Sequence, residues 1–254
     1  MHEVRKLREV KSLARGLDIL ELLTTSENGL ANKEIAEKLG INKSVISRFV
    51  NTLVLYEYAE KHSDTGRFTA GPRIVQLSHK MLKRMQLRDQ AKPFLRKLVE
   101  LTGECAHLAI SSKTGALCID QVETDFAYQV TTEVGTILHF HCTALGKVIA
   151  AYDKHLPELI ELPRLTPRTI VDRDILDMHL SQIRKQGYAI DDEENILDVR
   201  CVAAPVFGLG GNFLSAIGVS GPATHITLER IQEIASIIVD VARDLSGRMG
   251  FGGS

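Results

Sequence analysis

Lys43, Ser44, Ser47, Arg48 and Asn51 follow one another at steps of one, three, one and three residues, a spacing that gathers them on one side of an α-helix. Such a set can read base edges: a guanidinium fits guanine, a carboxamide fits adenine, and hydroxyl and ammonium groups hold phosphates. A merely solvated helix face would carry the same residue types, so the surrounding elements must decide. Other segments hold reactive residue types in weaker arrangements. His139-Phe-His141-Cys142 and Cys105-Ala-His107 offer ligands that zinc prefers, but at spacings of neither a zinc finger nor HExxH. If residues 139–142 form a strand, the two histidines share a face and Cys142 points away; structural histidines are expected, with a zinc-containing sensor as the alternative. Gly218-Val-Ser220-Gly221 would need glycine at Pro222 to make a nucleophile elbow. Gly208-Leu-Gly210-Gly211 has Phe213 where a dinucleotide fingerprint ends in glycine. The run Asp191 to Glu194 reads as a solvated acidic loop. No nucleophile and base can be identified together, so the expectation is a protein that is not an enzyme.

The elements around the polar face favour DNA. Leu13, Leu17, Leu20 and Leu23 predict an amphipathic helix with a buried face, capped by Ser12. After the turn Ser26 to Gly29, Asn32 is expected to cap a short helix with Ile35, Ala36 and Leu39 inward, stopped by Gly40. Asn42 then caps a third helix whose apolar stripe is Val45, Ile46, Phe49, Val50 and Leu53. Two short helices joined by a glycine-containing turn are a helix-turn-helix pattern. Strands at 58–61 and 67–69 around Asp64-Thr-Gly66 add a hairpin wing. A charged helix from Pro72 to about Lys92 follows, and Pro93 is expected to open another, Phe94 to Thr102. Beyond it the period changes to strands at 105–110, 116–122, 128–132, 201–207 and 214–220, with helices at 144–152, 174–186 and 227–248. The expected fold class is α+β, a sheet covered by helices behind an N-terminal winged helix. The expected domains are 1–71, a linker helix 72–92, and 93–254.

The chain has 254 residues, 44% hydrophobic and 25% charged, a globular composition. No apolar run approaches the ~18 residues of a membrane span, and the charged start has no apolar signal core, so an unexported, cytoplasmic chain is expected without a membrane partner. Four cysteines without a CxxC pair suit reduced thiols. The formal charge of −1 is uneven: residues 1–85 hold 15 Lys and Arg against 10 Asp and Glu, and the remainder hold 16 against 22. That asymmetry places the basic, DNA-facing end at the N-terminus.

Along nearly its whole length the chain resembles the IclR family of bacterial transcriptional regulators. The resemblance rests on Lys11 to Leu20, Glu34 to Gly40, Lys43-Ser44 with Arg48, Gly103-Glu104 with His107-Leu108, and Thr143-Ala-Leu-Gly-Lys147. It continues through Thr169-Ile170, Gly187-Tyr188, Asp191 to Glu194, Arg200 to Val206, and Ser220-Gly-Pro222. It departs at Asn42, where proline is usual, Ser47, where histidine is common, and Asp198, where glycine is common.

The resemblance implies a winged helix, a linker helix and a GAF-like effector-binding domain. It further implies a homodimer or dimer of dimers on double-stranded operator DNA, with a small-molecule effector changing operator occupancy or recruitment of RNA polymerase. Repression of a catabolic operon is the default, with a metabolite-dependent activator as the alternative, and no cofactor beyond the effector is expected. The expected DNA-binding residues are Arg15, Asn32, Lys33, Lys43, Ser44, Ser47, Arg48, Asn51 and, in the wing, Arg67. The family's effector site maps onto Ala144, Leu145, Asp191, Val199, Cys201, Gly218 and Ser220. Free amides at the start of the helix near Ala144 suit a carboxylate or aromatic acid.

Overall fold

A computed structural model describes residues 10–83, 85–125, 130, 132–154, 156 and 160–252, in two units that divide after residue 84. The first contains α1 (Lys11–Thr24), α2 (Asn32–Leu39), α3 (Lys43–Leu55), β1 (Ala59–Lys61), β2 (Phe68–Ala70) and α4 (Arg73–Lys83). Its core joins Ile19 and Leu23 of α1 to Ile35, Ile46 and Val50, with Ala59 and Phe68 from the hairpin. Gly40 ends α2 at φ +64°, a left-handed value that costs glycine little. Asn42 starts α3, its Oδ1 accepting from the Ser44 amide at 2.9 Å.

Ser12 and Asn32 are not caps; they lie inside α1 and α2, whose N-caps are Val10 and Ala31. At α2 the Glu34 carboxylate does the capping instead, accepting from the Ala31 amide at 2.7 Å. The apolar face expected on α1 is also displaced. Ile19 and Leu23 fill the core, while Leu13 and Leu17 are 64% and 53% exposed and line a groove with Leu20, Phe49 and Tyr58.

Residues 72–92 do not make one linker helix. One helix ends at Lys83, and α5 runs Gln86–Thr102 with Pro93 inside it. Proline there removes one backbone donor, but α5 buries Ala91, Leu95 and Leu98 against the sheet. Lys92 ties it further, with Nζ donating at 2.9 Å to Asp120 Oδ1 and to the Gln121 carbonyl.

The second unit adds β3 (Cys105–Ser111), β4 (Ala116–Val122), β5 (Ile137–Leu138), α6 (Ala144–Tyr152), α7 (Arg173–Gln186), β6 (Ala189–Asp192), β7 (Val199–Phe207), β8 (Phe213–Pro222) and α8 (Ile231–Arg248). The strands form an antiparallel sheet in the order β5-β4-β3-β8-β7-β6. Strand alternation sends Ala106, Leu108, Val202, Ala204, Ile217 and Val219 to the face packed with α5 and α8. The other face carries Ala109, Ala203 and Ala216 against α6 and α7. The expected strand 128–132 has residues 128, 129 and 131 outside the described residues. The short β5 and β6 were not anticipated, and α8 begins four residues after Thr227. Among the described residues no helix is long and apolar enough to cross a membrane.

Candidate nucleic-acid interface and ligand cavity

Capped by Asn42, α3 leaves Lys43, Ser44, Arg48 and Asn51 exposed, with Ser47 half-buried among them. The Ser44 hydroxyl donates to Asn42 Oδ1 at 2.8 Å, which fixes the entry of the helix. Asn42 has φ −58°, a value proline also adopts, so asparagine keeps that backbone and adds a cap. Arg15 and Lys33 are exposed on α1 and α2, Lys33 lying 3.8 Å from Glu37. Asn32 is half-buried, and its buried Oδ1 has no hydrogen-bond partner among the described residues.

Arg67 does not extend from the wing toward a backbone. Its Nη2 donates to both oxygens of Glu34 at 2.9 and 2.8 Å, and its Nε to the carbonyls of Asn28 and Gly29. It pins the hairpin to α2. The cation and ring left exposed on the wing are Lys61 and His62, which sequence reading missed; their place beside the Asp64-Thr-Gly turn was the available signal.

In the second unit Ala144, Leu145, Asp191, Val199, Cys201, Gly218 and Ser220 all border one cavity of about 60 Å3, together with His107, Thr143 and Asn195. The motif Thr143-Ala-Leu-Gly-Lys147 explains how α6 reaches it. Thr143 Oγ1 accepts from the Gly146 amide and donates to the His139 carbonyl at 2.7 Å. A Cβ at Gly146 would stand 2.0 Å from that same carbonyl, so only glycine lets the chain fold back there. With the Gly146 amide capped, those of Ala144 and Leu145 remain as first-turn donors of the helix. Lys147, 1% exposed, pairs with Glu194 in the interior.

The acidic run is therefore not a solvated loop. Asp191, Glu193 and Glu194 are buried because each carboxylate has internal partners. Asp192 and Glu193 take Arg200 at 2.6 and 3.1 Å and Arg168 at 3.2 and 2.8 Å. Glu194 takes Lys147, and Asp191 Oδ1 accepts from the Glu194 amide at 2.8 Å. Asp198 has φ +62°, which aspartate tolerates better than most residues. Burial pushes the Asp191 carboxyl up to about 7, Lys147 opposing and Glu194 adding to the shift. Burial likewise raises the thiols of Cys201 and of Cys142, the latter to about 12, so both stay protonated and poorly nucleophilic near neutrality.

Residues 139–142 are a turn, not a strand. The rings of His139 and His141 meet edge-on with centroids 5.5 Å apart, and His141 Nε2 bonds the Pro163 carbonyl at 2.9 Å. Among the described residues no group of three His, Cys, Asp or Glu is placed to hold a metal ion.

Comparison with known proteins finds two family models. The "IclR helix-turn-helix domain" matches residues 12–63, and "Bacterial transcriptional regulator IclR C-terminal" matches residues 79–247. The HTH-type transcriptional regulator BhcR of Paracoccus denitrificans is 34% identical over 242 residues, covering 93% of this chain and 86% of that protein. The transcriptional repressor IclR of Escherichia coli is 29% identical over 252 residues, covering 96% and 91%. The crystal structure of the Thermotoga maritima IclR superposes with a TM-score of 0.74 at 28% identity, covering 96% of this chain and all of that one.

Proposed function

Because the chain belongs to the IclR family of bacterial transcriptional regulators, we propose that it represses a catabolic operon, occupying double-stranded operator DNA until a small carboxylate enters the cavity of the second unit. The observation that carries the reading is the exposed face of α3, where Lys43, Arg48 and Asn51 have no internal role to explain them. In the second helix of a helix-turn-helix such a face enters the major groove. The protein binds as a homodimer or dimer of dimers, since paired half-sites need paired recognition helices. Repression is favoured by the Escherichia coli relative, which is named a repressor.

The carboxylate reading rests on the Ala144 and Leu145 amides and on Asp191, which burial keeps protonated below about pH 7 and so able to donate to an anion. The cavity of about 60 Å3 favours a short-chain acid over an aromatic one, since a benzene-sized ligand occupies a cavity of about 150 Å3. The test is a gel shift on the chain's own upstream region across a salt series, with a transcriptional reporter in cells with and without the gene. Retardation that weakens steeply with salt, with reporter output rising on deletion, supports the proposal. Output falling on deletion makes the protein an activator, and salt-insensitive or absent retardation refutes the DNA reading.

A further inference from the structure

At the start of α3 each donor and acceptor can be assigned. Asn42 Oδ1 lies 2.9 Å from the Ser44 amide nitrogen and 2.8 Å from Ser44 Oγ. A backbone amide only donates, so the side-chain atom facing it is the carbonyl oxygen of Asn42 and not its amino nitrogen. That oxygen only accepts, so the single hydroxyl proton of Ser44 points back at Asn42. What remains free on Ser44 Oγ is acceptor capacity alone. Ser44 is exposed, and it stands in the first turn of α3, where the residues of a recognition helix meet base edges.

Phosphate oxygens only accept, and so do N7 and O6 of guanine and O4 of thymine. None of these can pair with Ser44 while Asn42 holds its proton. The donors in the major groove are the N6 amino group of adenine and the N4 amino group of cytosine. We infer that Ser44 reads such an amino group, with Asn42 as the positioning residue, so that the pair specifies a base at one place in each half-site rather than anchoring the backbone. The inference rests on the reading of α3 as the DNA-contacting helix and adds the polarity of one contact. Proline, which the backbone at 42 would also admit, has no acceptor there and would leave the Ser44 proton free for a phosphate.

The test is atomic substitution in the operator, located by footprinting the chain's own upstream region with the full-length protein. Each adenine is replaced in turn by unsubstituted purine, which lacks the amino group, and each cytosine by pyrimidin-2-one. Wild type and Ser44→Ala are titrated on the same duplexes, so that weaker base pairing in a substituted duplex cancels between the two proteins. At one position in each half-site the wild type should lose about fivefold in affinity, the worth of one hydrogen bond, and Ser44→Ala should lose nothing further there. Asn42→Asp, which keeps an acceptor oxygen, should retain that dependence at lower overall affinity, and Asn42→Ala should lose most of it. Circular dichroism melts establish that the variants fold, and Ser44→Ala decides the matter even if Asn42→Ala does not. Equal losses in wild type and Ser44→Ala at every position overturn the contact. Full amino-group dependence in Asn42→Ala overturns the positioning role of Asn42. A Ser44 contribution that follows methylphosphonate substitution of a phosphate, or 7-deaza substitution of a purine, overturns the polarity and leaves α3 as the reading helix. Absence of salt-sensitive retardation of the upstream region by the wild type refutes the DNA reading itself.

Discussion

The Arg67 guanidinium holds both carboxylate oxygens of Glu34, at 2.9 and 2.8 Å, and so fastens the wing to the second helix. A bidentate pair of this kind fixes geometry as well as adding attraction. Arg67→Ala should therefore lower the melting temperature of the N-terminal unit, and Glu34→Gln should do the same while leaving Arg67 in place. Circular dichroism melts check this. An unchanged melting temperature together with weakened DNA binding would return Arg67 to the DNA interface.

Arg48 has the opposite character, exposed and with no side-chain partner among the described residues. Its replacement by alanine should cost roughly 1–3 kcal/mol of operator binding and relax preference at one base position. Lys43→Ala should instead weaken all sequences about equally and shallow the salt dependence by about one phosphate contact. Binding titrations at several salt concentrations distinguish the two patterns, and wild-type affinity in the Arg48 variant counts against the assignment.

The interior pair of Lys147 and Glu194 predicts non-additivity. Removing either partner strands a buried charge, at a cost of about 3–5 kcal/mol, so Lys147→Met and Glu194→Leu should each destabilise the second unit severely. The double variant should be more stable than either single one, because apolar side chains can fill the site without a charge to desolvate. Denaturant unfolding of the three proteins tests it, and simple addition of the two losses would contradict a direct pairing.

Asp191 links stability and ligand binding to pH. Its folded-state pKa, about 7, lies above the ordinary 3.8, so the folded protein holds this proton more tightly than the unfolded chain. The associated stability is complete below about pH 4 and is lost as pH rises through about 7. Lys147 of α6, Glu194 and the thiols of Cys142 and Cys201 surround it electrostatically. Affinity for a carboxylate should fall over the same rise, and Asp191→Asn should flatten both profiles. Melts and calorimetry between pH 5 and 9 read the two effects, and a wild-type profile indistinguishable from the variant's would remove Asp191 from this role.

What sequence made legible was mostly local. Helix α6 occupies the expected span 144–152, and Asn42 announces α3 by the cap its side chain makes. Local rules failed where a distant partner decided the outcome. The acidic run looked solvated because nothing near it in sequence shows that Lys147, 47 residues before Glu194, or the Arg168 and Arg200 side chains would neutralise it. Pro93 looked like a helix start because its preference for the first turn is local, whereas burial of Leu95 and Leu98 against the sheet is not. The seven residues carried over by resemblance do border one cavity, but that His107 joins them follows only from the pairing of β3 with β8.

The sheet of the second unit packs α5 and α8 against one face, while the cavity is bordered chiefly from the other, only Val202 and Val219 belonging to both. A change at position 201, 218 or 220 therefore alters the lining of the cavity, while positions 106, 204 and 217 go on holding the helices behind it. Substitution at one strand position can accordingly reshape the cavity without first rebuilding the scaffold that carries it.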